Sequence, residues 1–119
     1  MLIYGGSNYN NILNEDELWL FNLNNVNNKY GSWRKINVEN NSPAKRYGHS
    51  LSYSNNFYIL YGGSLNNILL NDVWVIDIIS QNPNWICLEF QKNLIPSPRL
   101  YHTSTICNKG IAYRLIIFL

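Results

Sequence analysis

Two short segments hold the residues best suited to chemistry. Arg46-Tyr47-Gly48-His49 and Arg99-Leu100-Tyr101-His102 share the pattern Arg-x-x-His, and His49 and His102 are the chain's two histidines. A guanidinium presents a planar fork of donors suited to a carboxylate or a phosphate. An imidazole can move a proton or hold a metal near neutral pH. Either use would need the histidines to converge with a nucleophile or with further ligands. The sequence offers no such set. Ser50 and Ser104 form no triad motif with them, and Glu15, Asp16 and Glu17 cluster at the end of a polar stretch. Cys87 and Cys107 lack metal-site spacing, and no nucleophile elbow, Walker loop or dinucleotide fingerprint is present. No catalytic residue, metal ligand or cofactor is assigned. The histidines read as hydrogen-bonding structural groups held beside Arg46 and Arg99. Arg46, Tyr47, Arg99, Leu100 and Tyr101 are the candidate contacts for a protein partner. The competing reading is that each arginine ties adjacent loops together.

These segments belong to a larger internal repeat. Leu2-Ile3-Tyr4-Gly5-Gly6 returns as Ile59-Leu60-Tyr61-Gly62-Gly63. Asp16-Glu17-Leu18-Trp19 returns as Asp72-Val73-Trp74, with Asp16 set against Asp72 as turn-holding residues. Trp33-Arg34-Lys35-Ile36 returns as Trp85-Ile86-Cys87-Leu88, and the Arg-x-x-His segment closes each round. Four landmarks in one order mark a true repeat. Phe57 to Tyr61, Val73 to Ile79 and Leu18 to Leu23 are short, β-branched or aromatic runs separated by Asn, Gly, Ser and Pro clusters, the signature of strands and loops. No amphipathic helical stretch stands out, so the chain is expected to be all-β. The glycine pairs suit positive φ or a close backbone approach. The tryptophans supply apolar area for packing one repeat on the next.

Composition narrows the function classes. The 119 residues are 46% hydrophobic and 14% aromatic, enough for a small core, and only 13% are charged. Asparagine, 21 residues by count, supplies the polarity and is read as loop filler. The net charge of +2 comes from scattered lysines and arginines, so no nucleic-acid face is indicated. Cys87 and Cys107 sit in apolar alternation and are expected to be buried free thiols. Met1 leads directly into a strand pattern and no apolar run approaches a membrane span. A cytoplasmic or nuclear location and no membrane contact are expected.

The diglycine, the two spaced tryptophans and the Arg-x-x-His segment together resemble the kelch repeat. The matching residues are Gly5, Gly6, Gly62 and Gly63, Trp19, Trp33, Trp74 and Trp85, and Arg46, His49, Arg99 and His102. The resemblance implies a β-propeller in which each repeat is one four-stranded antiparallel blade. The fold expected is all-β, a partial kelch propeller of about two blades. Residues 1–37 would be a blade lacking its first strand, 48–90 a complete blade, and 101–119 the start of a third, where Leu119 stands at the position due a glycine. Such a chain is expected to be a piece of a longer propeller, with exposed blade edges that template self-association. The function implied is protein–protein interaction without catalysis. Pro96-Ser97-Pro98-Arg99-Leu100-Tyr101-His102-Thr103-Ser104 also resembles a segment of kelch-repeat Ser/Thr protein phosphatases. The alternative function is therefore the substrate-binding or regulatory part of such a phosphatase, whose catalytic domain these residues do not include.

Overall fold

Phe57–Tyr61 and Val73–Asp77 are apolar at nearly every position, the pattern of strands covered on both faces. In the computed structural model they form the centre of a four-stranded sheet. The structure describes residues 1–8, 17–25, 30–38, 41–91, 94–109 and 112–118. The strands are β1 (Leu2–Tyr4), β2 (Leu18–Asn25), β3 (Tyr30–Ile36), β4 (Ser50–Ser54), β5 (Phe57–Tyr61), β6 (Ser64–Leu65), β7 (Ile68–Leu69), β8 (Val73–Asp77), β9 (Trp85–Leu88), β10 (Thr103–Lys109) and β11 (Ala112–Phe118). The described residues contain no helix, and so none long and apolar enough to cross a membrane.

All pairings are antiparallel. The first sheet runs β1-β2-β3, the second β4-β5-β8-β9, and the third β10-β11. The small β6–β7 hairpin projects from the second sheet's diglycine, in a stretch that reads from sequence as plain loop. Two Asn-Asn pairs make its turn and the β4–β5 turn. Asn55 and Asn56 have φ of 44° and 73°, and Asn66 and Asn67 have 49° and 66°. Asparagine tolerates this left-handed region because its short amide bonds to nearby backbone, and tight hairpins need two such residues in succession. These four asparagines are therefore turn residues rather than filler.

The core lies between the first two sheets. Leu2, Tyr4, Leu18 and Ile36 of the first sheet meet Leu60, Trp74, Ile76 and Trp85 of the second. Register explains the shared faces: Leu60 pairs with Trp74, and Ile76 with Trp85, so successive strands aim these side chains the same way. Trp85 is 2% exposed and meets the Tyr4 ring edge-on, with centroids 5.5 Å apart. The four tryptophans do not share one role. Trp74 and Trp85 are buried, Trp19 is half-buried, and Trp33 is 47% exposed beside Phe21. Trp33 lies on the face of the first sheet that turns away from the core.

The cysteines correct the sequence reading, because both are exposed. Alternation reports which face a residue joins, not whether anything covers that face. Cys87 lies on β9, an edge strand, and Cys107 pairs with Arg114 on the outer side of the β10–β11 hairpin.

Trp33 and Trp85 occupy equivalent repeat positions, yet their truncation should cost very different amounts. Trp85→Ala is expected to destabilise the chain by ~3–5 kcal/mol, the range for a fully buried large aromatic. Trp33→Ala should cost under about 1 kcal/mol, its partner being a single exposed-side ring. Urea midpoints of the two variants decide this.

Candidate functional site

The diglycine and the Arg-x-x-His segment are the two halves of one joint. The N–H of Gly6, at the end of β1, donates to the carbonyl of Arg46 at 2.8 Å. The N–H of Gly63, after β5, donates to the carbonyl of Arg99, also at 2.8 Å. Each diglycine thus holds the segment that leads into the next sheet. Gly62 shows why no larger residue fits: φ is 64°, and a Cβ would stand 2.7 Å from the Arg99 oxygen. The preceding tyrosines complete the joint. The Tyr4 hydroxyl donates to the carbonyl of Pro43. The Tyr61 hydroxyl donates to those of Pro96 at 3.3 Å and Ser97 at 3.1 Å. Tyr4 packs edge-on against His49, and Tyr61 against His102, with centroids 6.0 and 5.1 Å apart.

The side chain of Arg46 works within its own sheet. It is 1% exposed. Its Nη1 and Nη2 donate to the two oxygens of Asp72 at 2.5 and 2.8 Å, its Nη1 also to the carbonyl of Gly62, and its Nε to the carbonyl of Ala44. Asp72 in turn accepts the indole N–H of Trp74 at 2.6 Å. Burial alone would raise the Asp72 carboxyl; the bonds from Arg46 and Trp74 more than offset it and hold the group below the usual carboxylate range. Arg46 is therefore a bolt between strands and is not accessible to a partner, which corrects its assignment as a partner contact. The buried, bidentate geometry leaves no donor facing solvent.

Asp16 lies outside the described residues, and its match to Asp72 is corrected by Glu17. Glu17 accepts the indole N–H of Trp19 at 2.8 Å, as Asp72 does that of Trp74. The shared signal is a carboxylate two residues before each tryptophan, visible in Glu17-Leu18-Trp19 and Asp72-Val73-Trp74. The second oxygen of Glu17 takes the Lys35 ammonium.

The histidines sit beside these joints. His102, 7% exposed, is 2.8 Å from the Ser50 hydroxyl through Nε2. Burial and the nearby Arg99 lower its pKa. Burial, then Arg46, then His102 lower the pKa of His49 to about 4. Both are neutral at pH 7. Among the described residues no three His, Cys, Asp or Glu side chains gather as a metal site.

The other predicted contacts cluster on one surface. Arg99 is half-buried and donates to the carbonyl and hydroxyl of Ser97, both at 3.0 Å, with no carboxylate partner among the described residues. Tyr47 exchanges backbone bonds with Ser64, at 3.1 and 2.9 Å. Tyr101 is 76% exposed, and its ring lies 6.2 Å from that of Tyr47. Its φ is 57°, a left-handed value rare for a bulky residue, whereas the equivalent position of the preceding repeat is Gly48, at 66°. The N–H of Tyr101 donates to the carbonyl of Gly48 at 2.7 Å.

Comparison with known proteins agrees with the repeat. A family model described as the KLHDC2/KLHL20/DRC7 Kelch-repeats domain matches residues 1–118. Adagio-like protein 3 of Oryza sativa subsp. japonica is 32% identical over 105 residues, 87% of this chain and 16% of that protein. Adagio protein 3 of Arabidopsis thaliana is 31% identical over the same share of each. Rho GTPase-activating protein gacHH of Dictyostelium discoideum is 40% identical over 76 residues, which are 64% of this chain and 4% of that protein. The chain thus spans a small part of the length of these relatives.

Removing the carboxylate from the bolt should be costly. Asp72→Asn is expected to destabilise by ~3–5 kcal/mol, because a buried guanidinium loses its counter-ion. Glu17→Gln, on a partly exposed pair, should cost under about 1 kcal/mol. Acid acts through the same residues. A folded-state pKa of about 4 for His49 lies below its ordinary value of 6.5, so the unfolded chain takes up that proton first. The contribution is whole above pH 6.5 and falls away between 6.5 and 4. Asp72, also lowered, contributes above the ordinary carboxylate pKa and loses it below. Urea midpoints should therefore drop between pH 7 and 4.5, and His49→Gln should flatten that slope.

Proposed function

The chain belongs to the kelch-repeat family, and on that footing we propose that it works as a protein-interaction module without catalysis of its own. Tyr101 carries the reading. A bulky residue in left-handed backbone costs on the order of 1–3 kcal/mol, and such strain collects where a side chain is needed in a fixed place. The preceding repeat uses glycine there at no such cost. What the strain holds is a phenol ring standing open to solvent beside Tyr47, with Leu100 between Tyr101 and Arg99 in sequence. Interfaces favour large, stiff side chains with a polar tip, which bury area at little entropic loss. Loops braced by rigid sheets suit such contacts. Tyr47, Leu100 and Tyr101 form the contact patch, Arg99 stands at its edge, and Arg46 serves by bracing the loop from beneath.

Tyr101→Gly separates binding from stability. It relieves the strain but removes the ring, so folding stability should hold or rise by up to about 1 kcal/mol. Capture of protein partners from an extract of the source cells should fall at least tenfold, while Ile79→Ser, on an exposed site away from the patch, should leave capture unchanged. Equal capture by Tyr101→Gly would sink the reading.

A further inference from the structure

The chain holds two Ser-Pro steps, Ser42-Pro43 and Ser97-Pro98. A proline after a serine sets that serine in extended backbone and removes the next N–H donor, the form that a proline-directed kinase reads. The fold treats the two steps in opposite ways. Ser42 is half-buried, and Pro43 is fully buried with its carbonyl taken by the Tyr4 hydroxyl. Pro96, Ser97 and Pro98 are all exposed, on a stretch between β9 and β10 that lies outside the strands. A kinase cleft can take this stretch without breaking a ladder bond.

The backbone of the stretch is anchored from within. The carbonyls of Pro96 and Ser97 accept the Tyr61 hydroxyl, and that of Ser97 also accepts Arg99 Nε. The Ser97 hydroxyl is not needed for this. Its equivalent in the preceding repeat is Ala44, whose carbonyl accepts Arg46 Nε in the same way. Ala44 is exposed too, although its loop joins the first and second sheets, which are packed together. Openness therefore belongs to the position itself. What Ser97 adds is an oxygen that accepts from Arg99 Nη2 at 3.0 Å. A phosphoryl group on that oxygen would carry about two negative charges and offer three strong acceptor oxygens. The guanidinium fork already standing there suits it.

We propose that Ser97 is a phosphorylation site for a proline-directed kinase, and that Arg99 holds the phosphoserine. Ser97 Oγ attacks the γ-phosphorus of ATP. The Oγ–P bond forms, the bond from that phosphorus to the β–γ bridging oxygen breaks, and ADP leaves. The hydroxyl proton passes to the kinase's catalytic carboxylate. The product places a strong negative charge on Arg99, at the edge of the Tyr47, Leu100 and Tyr101 patch. The site stands whether or not that patch binds protein.

The test treats the purified full chain with a mitogen-activated protein kinase and magnesium ATP, and maps phosphate by mass spectrometry. Short peptides carrying each Ser-Pro step serve as unfolded controls, and circular dichroism confirms that each variant is folded. Both peptides should be modified. In the folded chain Ser97 should be modified, and Ser42 at least about tenfold more slowly, because its step must first open locally. Ser97→Ala, the residue that the preceding repeat already uses, should fold and take no phosphate at this step. A second measurement follows phosphate removal by a phosphatase. Phosphorylated Arg99→Gln should lose its phosphate about tenfold faster than wild type, the worth of one charge-assisted bond. A folded chain left unmodified at Ser97 overturns the proposal, whether or not its peptide reacts. Equal modification of Ser42 and Ser97 in the folded chain overturns it as well, and equal removal rates overturn the part given to Arg99.

Discussion

Arg46 grips in two directions, and the architecture hangs on that. Its carbonyl is held by the diglycine of the preceding sheet, while its guanidinium is locked onto Asp72 of its own. A backbone acceptor fixes the spacing between sheets. A bidentate ion pair from a buried guanidinium to the half-buried Asp72 fixes the loop relative to the third strand. Neither would do alone: a buried carbonyl needs a donor, and a buried guanidinium needs a carboxylate. The glycine is required because a side chain would occupy the space that the oxygen fills.

Once the loop is fixed from below, its upper side can be spent on other things. Gly48 keeps the turn without strain in one repeat, and Tyr101 makes the same turn at a cost in the next. The bond from the Tyr101 N–H to the Gly48 carbonyl couples the two loops, so the exposed ring is placed against Tyr47 by backbone geometry rather than by its own packing. The histidines beneath stay neutral, which keeps like charge away from Arg46 and Arg99 where the sheets meet.

The same logic governs the ends of the chain. A sheet in this architecture is apolar on both faces, as the runs at Phe57–Tyr61 and Val73–Asp77 record. Burial then depends on having a neighbour on each side. Trp85 has one and is buried; Trp33, its equivalent, has none on its face among the described residues and is half open to solvent. Cys107, on the outer side of the β10–β11 hairpin, is exposed for the same reason, whereas Cys87 shares the face of Trp74 and Trp85 and is exposed on the edge strand β9.

Strands, repeat and family are legible in the chain alone, because alternation, glycine pairs and spaced tryptophans are local signals that survive without a fold. The chain also held two signals that are easy to pass over: the Asn-Asn pairs that close the hairpins, and the carboxylate two residues before each tryptophan, which makes Glu17 and not Asp16 the counterpart of Asp72. What each equivalent residue does depends on the packing around it. Arg46 and Arg99 look alike in sequence, yet one is sealed against Asp72 and the other lies at the surface. Trp85 and Trp33 likewise differ only in whether a second sheet lies over them. Accessibility is a property of neighbours far apart in the chain, and a repeat prints the same residues whether or not those neighbours are there.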